Sequence, residues 1–139
     1  MKINHLSITA RNPEQVAIIL AELTDGAASP FPSKTMEGAW LCVWDKQAGE
    51  LIEVIPDRYL LQPGKYAAEY RLLEVEQNFN STHFMLETEQ SLDHLKAVAD
   101  KHELYHRFRP RLGGPLYEIW IESQILVEFV SDEIRNLEP

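Results

Sequence analysis

Polar and apolar residues alternate through Ile3 to Thr9, which places Leu6 and Ile8 on one side of a strand and His5, Ser7 and Thr9 on the other. Asn12-Pro13 then supplies an N-cap and a proline for a first helical turn. The pattern predicts a helix to about Leu23, stopped by Asp25-Gly26. "SPFPSK" reads as a broken loop or edge strand, because proline is excluded from ladder interiors. "AWLCVW" and "ELIEVI" form a hairpin across "DKQAG". Further on, Ser81 to Glu87 alternates as a strand. Ser91 to about His102 follows as a helix with Leu92, Leu95, Val98 and Ala99 facing inward. "YHRFRP", "PLYEIWI" and "ILVEFV" are three more strands.

These elements repeat. "NHLSITARNPEQVAIILAEL" parallels "THFMLETEQSLDHLKAVADK", and "GAWLCVWDKQAGELIEVIP" parallels "GPLYEIWIESQILVEFVSD". The offset is 78 residues at His5 and His83, 76 at Trp44 and Trp120, and 75 at Glu53 and Glu128, a drift that loop lengths absorb. The chain is a duplication. Residues 1–56 make one strand–helix–three-strand (βαβββ) module and residues 81–139 the other, together one structural domain of the α+β class. Residues 57–80 link the two. That segment is too long for a plain loop, and "AAEYRLLEV" within it forms structure of a kind its periodicity leaves open.

The strand faces carry the chemistry. If Leu6 and Ile8 pack on the first helix, His5 points away from it; Phe84 and Leu86 send His83 the same way. Ile52 with Val54, and Val127 with Phe129, leave Glu53 and Glu128 on the face opposite the helices. A carboxylate among Leu51, Ile52, Val54 and Ile55 is costly to bury unpaired. Two imidazoles and two carboxylates facing one cleft are a ligand set for a divalent first-row metal, so His5, Glu53, His83 and Glu128 are the candidate ligands.

Composition narrows the partners. A net charge of -9 disfavours nucleic acid and anionic membranes and suits a cation or a small neutral molecule. No apolar run reaches about 18 residues, so no membrane span is expected. The single cysteine, Cys42, and an N-terminus without the apolar core of a signal peptide fit a cytoplasmic location. Cys42 reads as a small buried hydrophobe, Trp40, Trp44 and Trp120 as core or cleft wall, and His94, His102 and His106 as surface residues. Arg107, Arg109 and Arg111 stand at alternate positions beside Gly113-Gly114. They are candidate substrate-binding residues, an anion clamp on a mobile loop; the other reading is a solvated edge strand protected by charge.

The motifs "NHLSI", "LIEVIP", "THFML" and "LVEFV" resemble those of the vicinal oxygen chelate superfamily, which includes glyoxalase I, extradiol dioxygenases and bleomycin-resistance proteins. The full His, Glu, His, Glu set is most similar to that of bacterial glyoxalase I. The resemblance covers nearly the whole chain. It implies paired modules forming a curved, U-shaped mixed sheet around a central cleft, with one divalent ion (Zn, Ni, Co, Mn or Fe) held by His5, Glu53, His83 and Glu128. It further implies a glyoxalase I-like lyase or isomerase that takes a small oxygenated substrate through a metal-stabilised enediolate, with Glu128 or Glu53 as the catalytic base. Two alternatives are a non-haem Fe(II) extradiol-type dioxygenase using His5, His83 and Glu128, and a non-catalytic ligand-binding protein of the bleomycin-resistance kind. Glu53 argues against the first, since a fourth protein ligand blocks a position that oxygen and a bidentate substrate need. The "DPDGN" turn common in the family is replaced by "WIESQILVE", and no residues match a glutathione site.

A single module leaves one sheet face uncovered, and the resemblance implies a homodimer. Sedimentation at micromolar concentration is expected to return the mass of two chains; a monomer overturns this.

Overall fold

A computed structural model of the chain describes residues 5–32, 36–63, 68–74, 83–110 and 114–137. The chain divides into two compact units, 1–78 and 79–139. In the first, β1 (His5–Ala10) leads into α1 (Pro13–Thr24), followed by β2 (Ala27–Pro30), β3 (Trp40–Asp45) and β4 (Glu50–Pro56). The Asn12 side chain accepts from the Gln15 N–H at 3.2 Å and Pro13 occupies the first turn. Asp25 ends the helix in the left-handed conformation, φ 56°. Gly26 follows because β3 passes too close for a side chain: a Cβ there would lie 2.8 Å from the Val43 carbonyl oxygen.

The strands order as β1-β4-β3-β2, with β1 and β4 parallel and the other pairs antiparallel. The edge strand β2 ends at Pro30, the first proline of "SPFPSK". Val16, Ala17, Leu20 and Leu23 of α1 are buried, as are Ile8, Cys42, Ile52 and Val54 of the sheet. Each of the valines, leucines and isoleucines contributes about 1.5–3 kcal/mol by leaving water. Thr24 on α1 lies 3.8 Å from Cys42 Sγ, which marks the Cys42 side of the sheet as the helix side. Cys42 pairs with Ile52, so Glu53 points the other way.

The segment after β4 resolves the open question about "AAEYRLLEV". It is a strand, β6 (Ala68–Leu72), antiparallel to β5 (Tyr59–Pro63). Tyr59 and Tyr70 meet edge to face at 6.3 Å and pack with Phe31 on a cluster of Met36, Ala39 and Ile55. The hairpin is thereby anchored to the first unit.

The second unit repeats the plan. β7 (His83–Glu87), α2 (Leu92–Lys101), β8 (Tyr105–Arg109), β9 (Leu116–Ile121) and β10 (Ile125–Val130) form a sheet in the order β7-β10-β9-β8. A one-turn helix, α3 (Asp132–Arg135), follows. β7 and β10 are parallel, as β1 and β4 are. Leu92, Leu95, Val98 and Ala99 are the buried residues of α2, as the periodicity predicts. Ser91 caps that helix and His102 ends it. No helix among the described residues is long and apolar enough to cross a membrane.

The "WIESQILVE" turn carries a local cost. Glu122 and Ser123 both have positive φ, 54° and 55°, while the Gln124 N–H closes on the Ile121 carbonyl at 3.1 Å. This suits the right-handed twist of a hairpin but wants glycine or asparagine. Ser123→Gly is expected to stabilise the fold by about 1 kcal/mol and to raise the melting temperature by roughly 3 °C, read by calorimetry.

Candidate metal centre

Parallel pairing of the outermost elements of each module decides where the candidate ligands fall. In the first unit His5 stands opposite Leu51, and Ser7 opposite Glu53. In the second, His83 stands opposite Leu126, and Met85 opposite Glu128. Each glutamate is thus the diagonal neighbour of its histidine, two positions along the adjacent strand and on the same face. Such neighbours lie roughly 7–8 Å apart at the backbone, within joint reach of long side chains. The structure brings together His5 with Glu53, and His83 with Glu128, each pair inside its own unit.

The surroundings of the two pairs differ. Glu53 Oε2 accepts a hydrogen bond from Ser7 Oγ at 2.7 Å. The neighbours opposite Glu53 and Leu51 on β3 are apolar, Leu41 and Val43. On the second sheet the strand opposite Glu128 carries another carboxylate, Glu118, only 2 % exposed. Like charges directly opposite one another destabilise a sheet. Two arginines offset them. Arg107 Nε donates to Glu118 Oε2 at 2.7 Å, and Arg109 Nη2 donates to Glu128 Oε1 at 2.9 Å. Arg109 Nε also lies against Glu118 Oε1, as an ion pair whose N–H is not aligned for a hydrogen bond. The hydrogen bond and the charge of Glu118 push the Arg107 guanidinium above its usual pKa.

Of the three arginines in the clamp reading, Arg107 and Arg109 therefore engage protein carboxylates, and Arg111 lies outside the described residues. Glu118 was missed in the sequence. The signal was available: it alternates with Trp120 on β9, as Arg107 and Arg109 alternate on the facing strand. Trp120 shares this face, and its Nε1 is buried with no acceptor among the described residues.

The opposite side of the second sheet holds a separate polar group. His106 binds the Tyr117 hydroxyl through Nδ1, and Asp100 at 3.0 Å through Nε2. His106 is only partly exposed, a departure from the surface reading, because alternation on β8 turns it toward α2. Burial, with the Asp100 charge as a lesser cause, pushes the Tyr117 hydroxyl up to about 12. In the first unit burial pushes the Cys42 thiol up to about 11, against the opposing Thr24 hydrogen bond, so it stays protonated and is no nucleophile at neutral pH.

Among the described residues, no group of three or more His, Cys, Asp or Glu side chains is placed to hold a metal ion. The donor chemistry nonetheless fits a divalent ion. Both imidazoles are exposed. Each carboxylate is restrained through one oxygen, Glu53 by Ser7 and Glu128 by Arg109, and its second oxygen remains an acceptor.

Arg109→Met strips the bridge from two buried carboxylates. It is expected to cost about 3 kcal/mol in a denaturant melt. Ser7→Ala removes one hydroxyl from a partly exposed carboxylate and is expected to cost less than about 1 kcal/mol in the same assay.

No family model matches the sequence, and no curated protein matches it. Solved structures do share its fold. Fosfomycin resistance protein FosX from Mesorhizobium loti has a TM-score of 0.58 at 14 % identity, over 92 % of this chain and 89 % of that one. A point variant of FosX from Listeria monocytogenes, solved with Mn(II) and 1S,2S-dihydroxypropylphosphonic acid, has a TM-score of 0.60 at 12 % identity, over 92 % and 87 %. A cassette protein from the mobile metagenome of V. pseudocholerae has a TM-score of 0.60 at 12 % identity, over 95 % of both chains. The two four-stranded mixed sheets with their helices are the modular, glyoxalase-like α+β fold of these neighbours, which are proteins of the vicinal oxygen chelate superfamily.

Proposed function

We propose that the chain is a divalent-metal-dependent enzyme acting on a small oxygenated substrate, a lyase or isomerase of the glyoxalase type, with His5, Glu53, His83 and Glu128 as metal ligands. The observation that carries this reading is the recurrence of one His/Glu diagonal, in the same register, on the parallel strand pair of each unit. The Mn(II) and diol phosphonate held by the Listeria FosX variant support a hard divalent ion and a substrate with neighbouring oxygens. When bound, the ion supplies Lewis acidity that stabilises negative charge developing on substrate oxygens.

The residues of the chain divide the remaining work. Glu128 is the fixed carboxylate, because a guanidinium hydrogen bond is a stronger restraint than one from a hydroxyl. Glu53, held by the Ser7 hydroxyl, is the carboxylate freer to take and return a substrate proton through Oε1. The Trp120 indole N–H is a ready donor for a ligand oxygen at the second sheet, where an unpaired buried donor is otherwise costly. On this reading the chain works in the cytoplasm as a homodimer.

Elemental analysis of protein purified without chelator is expected to find near-stoichiometric divalent transition metal. Added metal is expected to raise the melting temperature, by a free energy that grows with its concentration over its dissociation constant. The rise should be larger at about pH 7.5 than at about pH 5, since protons compete for imidazole and carboxylate donors. Glu53→Gln keeps the shape and removes the charge, so it should shrink the rise. Background metal content in the parent sinks the reading; equal shifts in parent and variant remove Glu53 from the ligand set.

A further inference from the structure

The arginine that holds Glu128 is shared. Arginine binds a carboxylate most strongly as a fork, with two parallel N–H groups on two oxygens of one partner. Arg109 does not do this. It directs Nη2 to Glu128 Oε1 and turns Nε toward Glu118 Oε1. Glu118 has both oxygens engaged, Oε2 by Arg107 and Oε1 by Arg109, and is the most deeply buried acid of this face. Glu128 keeps Oε2 without a protein donor among the described residues.

We infer that Glu118 is a positioning residue for Glu128: by drawing Arg109 aside it prevents a two-pronged pair with Glu128 and keeps Oε2 open to a cation. This rests on the reading of Glu128 as a metal ligand. In the first unit the position facing Glu53 holds Leu41 in place of an acid. Glu118 touches neither the proposed ion nor the substrate. It acts through Arg109.

The test separates position from charge. Glu118→Asp keeps the negative charge but shortens the side chain by one methylene, releasing Arg109 to fork onto Glu128. Mn(II) binding to the full chain, measured by isothermal titration calorimetry, is expected to weaken roughly tenfold, the lower end for losing an outer partner of a ligand. Adding Arg109→Lys to that variant should restore affinity to within about twofold of the parent, because an ammonium is a point charge and cannot fork. Arg109→Lys alone should bind Mn(II) at least as tightly as the parent, which keeps the idea testable if Glu118→Asp folds poorly. Unchanged affinity in Glu118→Asp, failure of the double variant to recover, or weakened binding in Arg109→Lys alone each overturns the inference. A parent that binds no Mn(II) removes the metal reading itself, and the inference falls with it.

Discussion

Parallel pairing of the first and last strands of each module is the constraint on which the rest depends. A parallel pair cannot be closed by a tight turn, so a helix and two further strands must be threaded between its members. In the first unit this sets Ser7 beside Glu53, residues 46 apart in sequence. The same crossover buries α1 against one sheet face and leaves Glu53 on the other. Strand alternation then does the sorting. Ile52 and Val54 go to the helix side, and Glu53 cannot follow them.

The duplicated frame has been decorated unequally. The first sheet meets its glutamate with Ser7, Leu41 and Val43, a sparse setting with one hydroxyl donor. The second meets its glutamate with Glu118, Arg107 and Arg109, two negative and two positive groups when Glu128 is counted. Its charges balance, but they are tied to one another, and removing either arginine leaves two buried carboxylates facing each other with one counter-charge fewer. The unequal settings suit unequal roles, one carboxylate held firmly and one held lightly.

Much of this was legible in the chain. Both helices, their caps and the buried stripe of α2 follow from Asn12-Pro13, Asp25-Gly26, Ser91 and the spacing of Leu92, Leu95, Val98 and Ala99. The duplication and the opposed faces of His5 and Leu6, or of Glu128 and Val127, follow from period-two alternation. The "AAEYRLLEV" stretch did not declare itself, because a short apolar-polar run fits a strand or a helix until a partner strand exists. Here the partner is β5, and Tyr59 against Tyr70 secures the pair.

Local pattern by itself determined the strands and helices of the two modules, and toward which side of its own strand each side chain points, because those properties depend on neighbours a few positions away. Beyond the hairpin of "AWLCVW" and "ELIEVI", it could not tell which strands lie next to each other. Arg107 and Arg109 left both a clamp and a charged edge open, until β8 was found beside β9 with Glu118 in register. His106 read as a surface residue until Asp100 and Tyr117 were brought to both of its ring nitrogens. Ion pairs and hydrogen bonds act over a few ångströms between residues distant in sequence, so only tertiary structure decided which carboxylates are held, by what, and through which oxygen.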